Sequence, residues 1–458
     1  MKKRLLAIML MSAMMVTACS SASTDTTTST DDTTSTEAAE ETDATEATSD
    51  LLAQVEAGGW AGYEESVGLE GSISFMHWGD TYEAEMYAEV VAMYEELVPG
   101  VDIEIIYTPS DYYVKLQSMA ASGETPDVFW TTQSLASTYS DIALCLDDYL
   151  EIYPEWTETM IEDYIDYGTV DGSVYAIPKD SASYVVFINT EMFAEAGIEI
   201  PDGDWTMEEY NEIAEALTIT DESGYTSQYG VFVSNYYSEW ISWLGNWEAP
   251  WFTDGQSNFS DELCITALSY MMEVIEEGYA PSPAAVENSG DSGDRLFITE
   301  RVAMYPSGRW CVPSFDAECE FEYTAVALPM GTTHCVAANH GQYYIGEDSE
   351  AADIAANFIS FALSEIGSAA IFTESLSMPV YTDLAEVDGF INEPSQAFIE
   401  SMDYLGSAEQ VEVSATGKFS EYSAIIVAEL DLAFNGDQTI EEACANIDEL
   451  ANSTVFID

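Results

Sequence analysis

Positive charge is the scarcest thing in this sequence. Nine Lys and Arg stand against 85 Asp and Glu in 458 residues, a formal net charge of -76. Lys2, Lys3 and Arg4 lie in a leader expected to be removed, which leaves six basic residues. A surface this negative cannot gather phosphates by releasing counterions, so nucleic acid is excluded as a partner. Nor can it hold a polyanion in an open basic groove or lie on an anionic membrane through basic contacts. Metal and nucleotide signatures are missing too. No CxxC pair occurs, His77, His334 and His340 make no HExxH, and neither a Gly-Lys-Ser/Thr nor a Gly-x-Ser-x-Gly run is found. No metal or cofactor is therefore expected. No apolar run reaches the roughly 20 residues that span a bilayer. Hydrophobic residues nonetheless make up 47% and aromatics 12%, enough for large cores and about two to three domains.

The N-terminus reads as an address. Basic residues 2–4, an apolar run from Leu5 to Val16 and the small-residue site Val16-Thr17-Ala18-Cys19 have the layout of a secretory signal. The last four residues resemble a bacterial lipobox, which implies removal of 1–18 and a lipid on Cys19. Residues 19–50 are then the lipidated Cys followed by an acidic Ser/Thr-rich spacer, too poor in apolar surface to fold. Cys145 and Cys264 sit among apolar neighbours and read as small core residues. Export would permit a disulfide among Cys311, Cys319 and Cys335, with the pair undetermined.

Along the rest, periodicity alternates between 2 and 3.6. Gly71 to Met76 reads as a strand, Val90, Val91, Tyr94 and Leu97 as one face of a helix, and Val101, Ile103 and Ile105 as a second strand. A helix from Lys115 and a short strand at Pro126 to Trp130 follow. This β-α-β-α-β order implies a parallel sheet covered on both sides, whose ligands meet the loops after the strands. Further on, Thr206-Met207-Glu208-Glu209 is a capping box that opens a helix, and Thr439-Ile440-Glu441-Glu442 opens the last one.

Several landmarks then occur in order. They are Gly123 to Val128, Asp171 to Pro178, Asn189 to Phe193, Ala196-Gly197, Trp205-Thr206, Phe297 to Met304 with Ser307-Gly308-Arg309-Trp310, Ala355 to Phe361, and Met378-Pro379. Together these resemble the extracellular solute-binding proteins of family 1, the maltose-binding type. Departures are the reversed Trp205-Thr206 and Glu300-Arg301 in place of Gly-Lys. The resemblance implies an α/β, two-lobe periplasmic-binding-protein-like fold of type II. Each lobe would be a mostly parallel sheet flanked by helices, joined by three crossover hinge strands. The lobes would comprise 71–178 plus 330–378 and 179–329 plus 379–458. It also implies a monomer that carries a sugar to the permeases of an ABC importer.

A sugar presents hydroxyls at its edge and C–H patches on its faces, so its binder needs flat aromatics beside carboxylates and amides. The expected ligand contacts are Trp78 and Asp80 after the first strand, Trp130 and Gln133 after the third, Asp180 and Ser183 after the first crossover, and Arg309 and Trp310 after a second-lobe strand. Trp240, Trp243, Trp247 and Trp251 read either as core packing or as a cleft wall, with Trp240 the expected contact. Phe419 is a further expected cleft aromatic. Two other readings stand beside this one: a polyamine site in the same fold, and a glycoside hydrolase, which needs two carboxylates set across the scissile bond.

Overall fold

Alternation of buried side chains organises two sheets in this computed structural model. It describes residues 48–132, 135–161, 164–337, 339–373, 376–387, 389, 396–402 and 404–457. The signal segment, Cys19, the spacer as far as residue 47, and Gln133 lie outside them. Both sheets belong to the unit Asp50–Asp458. Their strands, in chain order, are β1 (Gly71–His77), β2 (Val101–Tyr107), β3 (Val128–Thr132), β4 (Ile177–Pro178), β5 (Tyr184–Asn189), β6 (Ile219–Thr220), β7 (Thr226–Val231), β8 (Val302–Gly308), β9 (Tyr323–Ala327) and β10 (Gly341–Ile345).

The first sheet has the order β2-β1-β3-β10-β4. Ile73, Phe75, Val128, Trp130, Tyr343 and Ile345 share one core with the helices Thr81–Leu97, Ala352–Ala362 and Glu365–Thr373. Met76, Phe129 and Tyr344 point the other way, against Tyr112 and Leu116 of the helix Tyr112–Ala121. Period-2 alternation with both faces apolar is what a doubly covered sheet demands. The second sheet, β9-β5-β8-β7-β6, does the same. Tyr184, Val186 and Ile188 enter a core built on the helices Met207–Leu217, Tyr237–Asn246, Glu262–Glu276, Phe419–Phe434 and Ile440–Thr454. Val185 and Phe187 meet Phe297, Phe315 and Phe398 on the opposite face. Each such side chain fully buried stabilises the fold by about 1.5–3 kcal/mol. The expected capping box is present at Thr206 with Glu209, and a second opens the last helix at Thr439 with Glu442.

The two-lobe α/β architecture is as expected, but the sheets are mixed rather than mostly parallel. β1 is parallel to β2 and β3, whereas β10 is antiparallel to both β3 and β4. In the second sheet only β8–β7 is parallel; β5 is antiparallel to β8 and β9. The cause is the crossing itself. A segment arriving from the other sheet enters at the edge where the resident strands end, so it runs back against them. Register records this: Gly341 opens β10 opposite Thr132 at the close of β3, and Tyr184 opens β5 opposite Gly308 at the close of β8. Cys264 is buried as expected, but Cys145 is exposed, and Cys311, Cys319 and Cys335 are each free.

Candidate functional site

Three crossings run between the sheets, and they are hydrogen-bonded side by side. Residues 179–183 occupy the middle. On one side the Lys179 N–H donates to the Gly341 carbonyl at 2.9 Å and the Ala182 N–H to the Asn339 carbonyl at 2.7 Å. On the other, Ser181 and Met378 exchange a pair of backbone bonds at 2.8 and 2.7 Å. The Tyr381 hydroxyl adds a bond to the Pro178 carbonyl at 2.7 Å. This three-stranded ribbon is the floor of a cavity of about 470 Å³, within the range of small-molecule sites.

Strand ends furnish the walls. From the first sheet come Trp78 and Asp80, just past β1, together with Trp130 and Thr132 of β3 and Glu83. The facing wall has Tyr184, Tyr236, Tyr305, Ser307 and Trp310. Trp78 lies on Trp130 with ring centroids 3.5 Å apart, and Tyr112 meets its edge at 4.6 Å. Trp310 packs against the cores of both sheets. Its placement explains Gly308. A Cβ at that position would sit 1.9 Å from the Trp310 ring, so only glycine lets the indole fold back on the strand.

Charge in the cavity is concentrated at the floor. Lys179 is buried, its ammonium paired with Asp180 and standing over the Trp130 ring at 4.3 Å. Trp78 contacts the same indole at an interplanar angle of 32°. Burial pulls the Lys179 pKa down, but Asp180, Tyr343 and Glu83 outweigh it and hold the group above the ordinary lysine value. Burial drives Glu83 up to about 8; Lys179 opposes this, while Asp180 and Asp80 reinforce it. Burial also lowers His340 to about 3, so its ring is neutral at physiological pH. Asn339 is oriented from behind, accepting from the Tyr237 hydroxyl at 2.7 Å and donating to Ser238 Oγ at 2.9 Å.

The structure thus brings Trp78, Asp80, Trp130, Asp180 and Trp310 to one cavity. It places four other expected contacts, Ser183, Trp240, Arg309 and Phe419, elsewhere. Ser183 is fully buried with its hydroxyl donating to the Phe398 carbonyl at 3.0 Å. Trp240 is also fully buried, edge-on to Trp251 and Phe259 in the second-sheet core. Arg309 turns away from Trp310 and donates to the Ser377 carbonyl on the third crossing. Phe419 packs edge-on to Tyr237 at 5.6 Å and stays in the core. Glu83, Lys179, Tyr184, Tyr305 and His340 line the cavity but were not among the expected contacts. One available signal was Lys179, a rare cation immediately before Asp180.

Opposed aromatic faces above a floor of amide, carboxylate and hydroxyl groups suit a small polar molecule with apolar flat sides. Among the described residues no group of His, Cys, Asp and Glu is arranged to hold a metal ion. A family profile described as bacterial extracellular solute-binding protein matches residues 89–397. A protein of Brucella abortus named as a binding protein is 23% identical over 252 residues, 54% of this chain; the chain thus spans 60% of that relative's length. Among solved structures, an ABC substrate-binding protein of Listeria monocytogenes in complex with cycloalternan superposes with a TM-score of 0.76 at 20% identity, covering 85% of this chain and all of that one. A maltose-bound protein of T. maritima gives 0.73 at 16% identity over 84% of this chain and 100% of its own. The acarbose receptor of Streptomyces glaucescens gives 0.73 at 17%, over 84% and 98%. At these identities the structural likeness establishes the fold.

Proposed function

This chain belongs to the bacterial extracellular solute-binding protein family, and from that premise we propose that it captures a carbohydrate in the cavity between its sheets and delivers it to the permeases of an ABC importer. It acts as a monomer tethered outside the cytoplasmic membrane through a lipid on Cys19, and it binds its ligand without converting it. The observation that carries this reading is the pairing of Trp78 on one wall with Trp310 on the other above Asp180 and Asn339. Rings of that kind cover the C–H faces of a sugar, and polar groups at the floor meet its hydroxyls. Each hydroxyl buried without a partner would cost on the order of 1–3 kcal/mol, so both kinds of group are needed. The sugar-bound relatives named above support the ligand class. Closure of the walls would be a hinge motion at the three crossings.

A thermal-shift screen against neutral mono- and oligosaccharides tests the proposal, because a ligand that binds only the folded state raises the melting point by mass action. Calorimetry on the hits should give saturable heat with no reaction products. Heat from spermidine and none from any sugar would mark the site as one for an organic cation, a reading supported by Asp80 beside Trp78. Released sugars would mark a hydrolase.

A further inference from the structure

Every cation after the leader has a place in the described structure. Lys115 donates to Thr108 Oγ1 at 3.2 Å, Arg295 pairs with Glu318 at 2.8 Å, and Arg301 donates to the Ser227 carbonyl at 3.0 Å. Lys418 reaches the Val455 carbonyl at 2.8 Å, and Arg309 the Ser377 carbonyl. Lys179 remains, the one Lys or Arg among the described residues that line the cavity. Its charge is already matched by Asp180 and spread over the Trp130 ring. Asp180 is itself fixed, because its Oδ1 accepts the Gly341 N–H at 2.9 Å.

We infer that the cavity discriminates against acidic sugars, and that Asp180 is the specificity-determining residue because it neutralises the sole cation able to hold a ligand carboxylate. The inference rests on the carbohydrate reading above and names the class of sugar. A uronate differs from its neutral parent by a carboxylate in place of a hydroxymethyl group. On entering, that carboxylate would lose its water and meet Asp80 and Asp180 with no unmatched cation, a desolvation no pairing offsets. Crowding at this wall is built in. Asp80 Oδ1 accepts the Glu83 N–H at 2.9 Å, and the missing side chain of Gly79 makes room for the Glu83 carboxyl, since a Cβ there would lie 2.2 Å from its Oε2. Burial already raises this carboxyl to about 8, so the wall disfavours a further negative charge. A hydroxymethyl group meets no such penalty.

The test is calorimetry at pH 7 with matched pairs: maltose, cellobiose and the neutral hits of the sugar screen, each against the counterpart oxidised to a carboxylate at C6. The intact protein should bind the neutral member at least tenfold more tightly. The double variant Asp180→Asn with Glu83→Gln releases Lys179, while the amide that replaces the Asp180 carboxylate can still accept the Gly341 N–H. In that protein the gap should close or invert. Should it fail to fold, Asp180→Asn alone frees the ammonium and should narrow the gap in the same direction. Uronates bound as tightly as their parents by the unaltered protein would overturn the inference and leave the carbohydrate reading standing. A gap unchanged in the folded variants would overturn the role of Asp180. A panel with no binder in either series would sink the carbohydrate reading, and this inference with it.

Discussion

Asp180 Oδ1 accepts the backbone N–H of Gly341 at 2.9 Å while its second oxygen holds Lys179. One carboxylate therefore joins the first crossing to the second and supplies the counter-ion for a buried ammonium. Any swing of one sheet against the other acts on the crossings that this residue clasps.

Removing it should be costly. Asp180→Ala leaves Lys179 buried beside a carboxyl, Glu83, that favours its proton. Breaking a buried pair from one side typically costs about 3–5 kcal/mol. Adding Lys179→Met should recover a large part of that loss, since the orphaned charge goes with it. Urea unfolding of the two single variants and the double gives the coupling directly. Simple additivity would mean that the two groups do not depend on each other.

Trp310 and Trp240 should separate binding from folding. Trp310→Ala removes a wall of the cavity, and affinity should fall about tenfold or more, equivalent to about 1.4 kcal/mol. Trp240→Ala empties a site with no exposure at all, so stability should drop by about 3–5 kcal/mol. The folded fraction of that variant should retain its affinity. Calorimetry and thermal melting on both proteins decide it; equal effects on binding would place Trp240 at the ligand.

If the proposed lipid is carried on the Cys19 thiol, Cys19→Ser should move the protein from the membrane fraction to the soluble fraction. Fractionation followed by immunoblotting reads the result. Retention on the membrane would argue for an uncleaved leader as the anchor.

How far the sequence anticipates all this depends on whether local pattern or tertiary direction decides. Strands with period-2 alternation and helices with capping boxes are local, and Ile73 to Met76, Thr206 and Thr439 were readable on that ground. Trp78 and Trp310 were readable because ligands gather beyond strand ends. Trp240 was not. Every residue of its helix, Tyr237–Asn246, is buried, so helical spacing could not distinguish a face toward the cavity from a face toward the core. Arg309 and Trp310 are neighbours in a tight helical turn, and adjacency there sends the two side chains apart. Glu83 follows the N-cap Asp80 by three residues, a position that reads as helix capping. Its role as a cavity wall depends on Gly79 and on the distant Lys179, which no local pattern reveals.

Glu239 should make stability fall as pH rises. It is fully buried, with Oε2 accepting the N–H of Ser234 at 2.7 Å on the cavity's second wall. Burial raises its pKa from 4.5 to about 8, against the opposing bonds from Ser234 and Trp243. Below the unfolded value both states hold the proton and nothing is lost. Between about 4.5 and 8 the unfolded chain releases the proton and the folded protein keeps it, so the unfolded state gains as pH climbs. His340 acts in the opposite sense on the acid side: its value of about 3 means stability rises with pH up to about 6.5. Comparison with Glu239→Gln cancels that contribution and isolates the carboxyl. The carboxamide oxygen of the variant can still accept the Ser234 N–H, so it should match the parent near pH 4.5 and melt progressively higher than it toward about pH 8. Ligand affinity at about pH 6 should be the same in both, because the bond to Ser234 is kept. A melting-point difference that stays flat from about pH 5 to pH 8 would mean that Glu239 ionises inside the folded protein, and that water or a counter-charge reaches a carboxyl with no exposed surface.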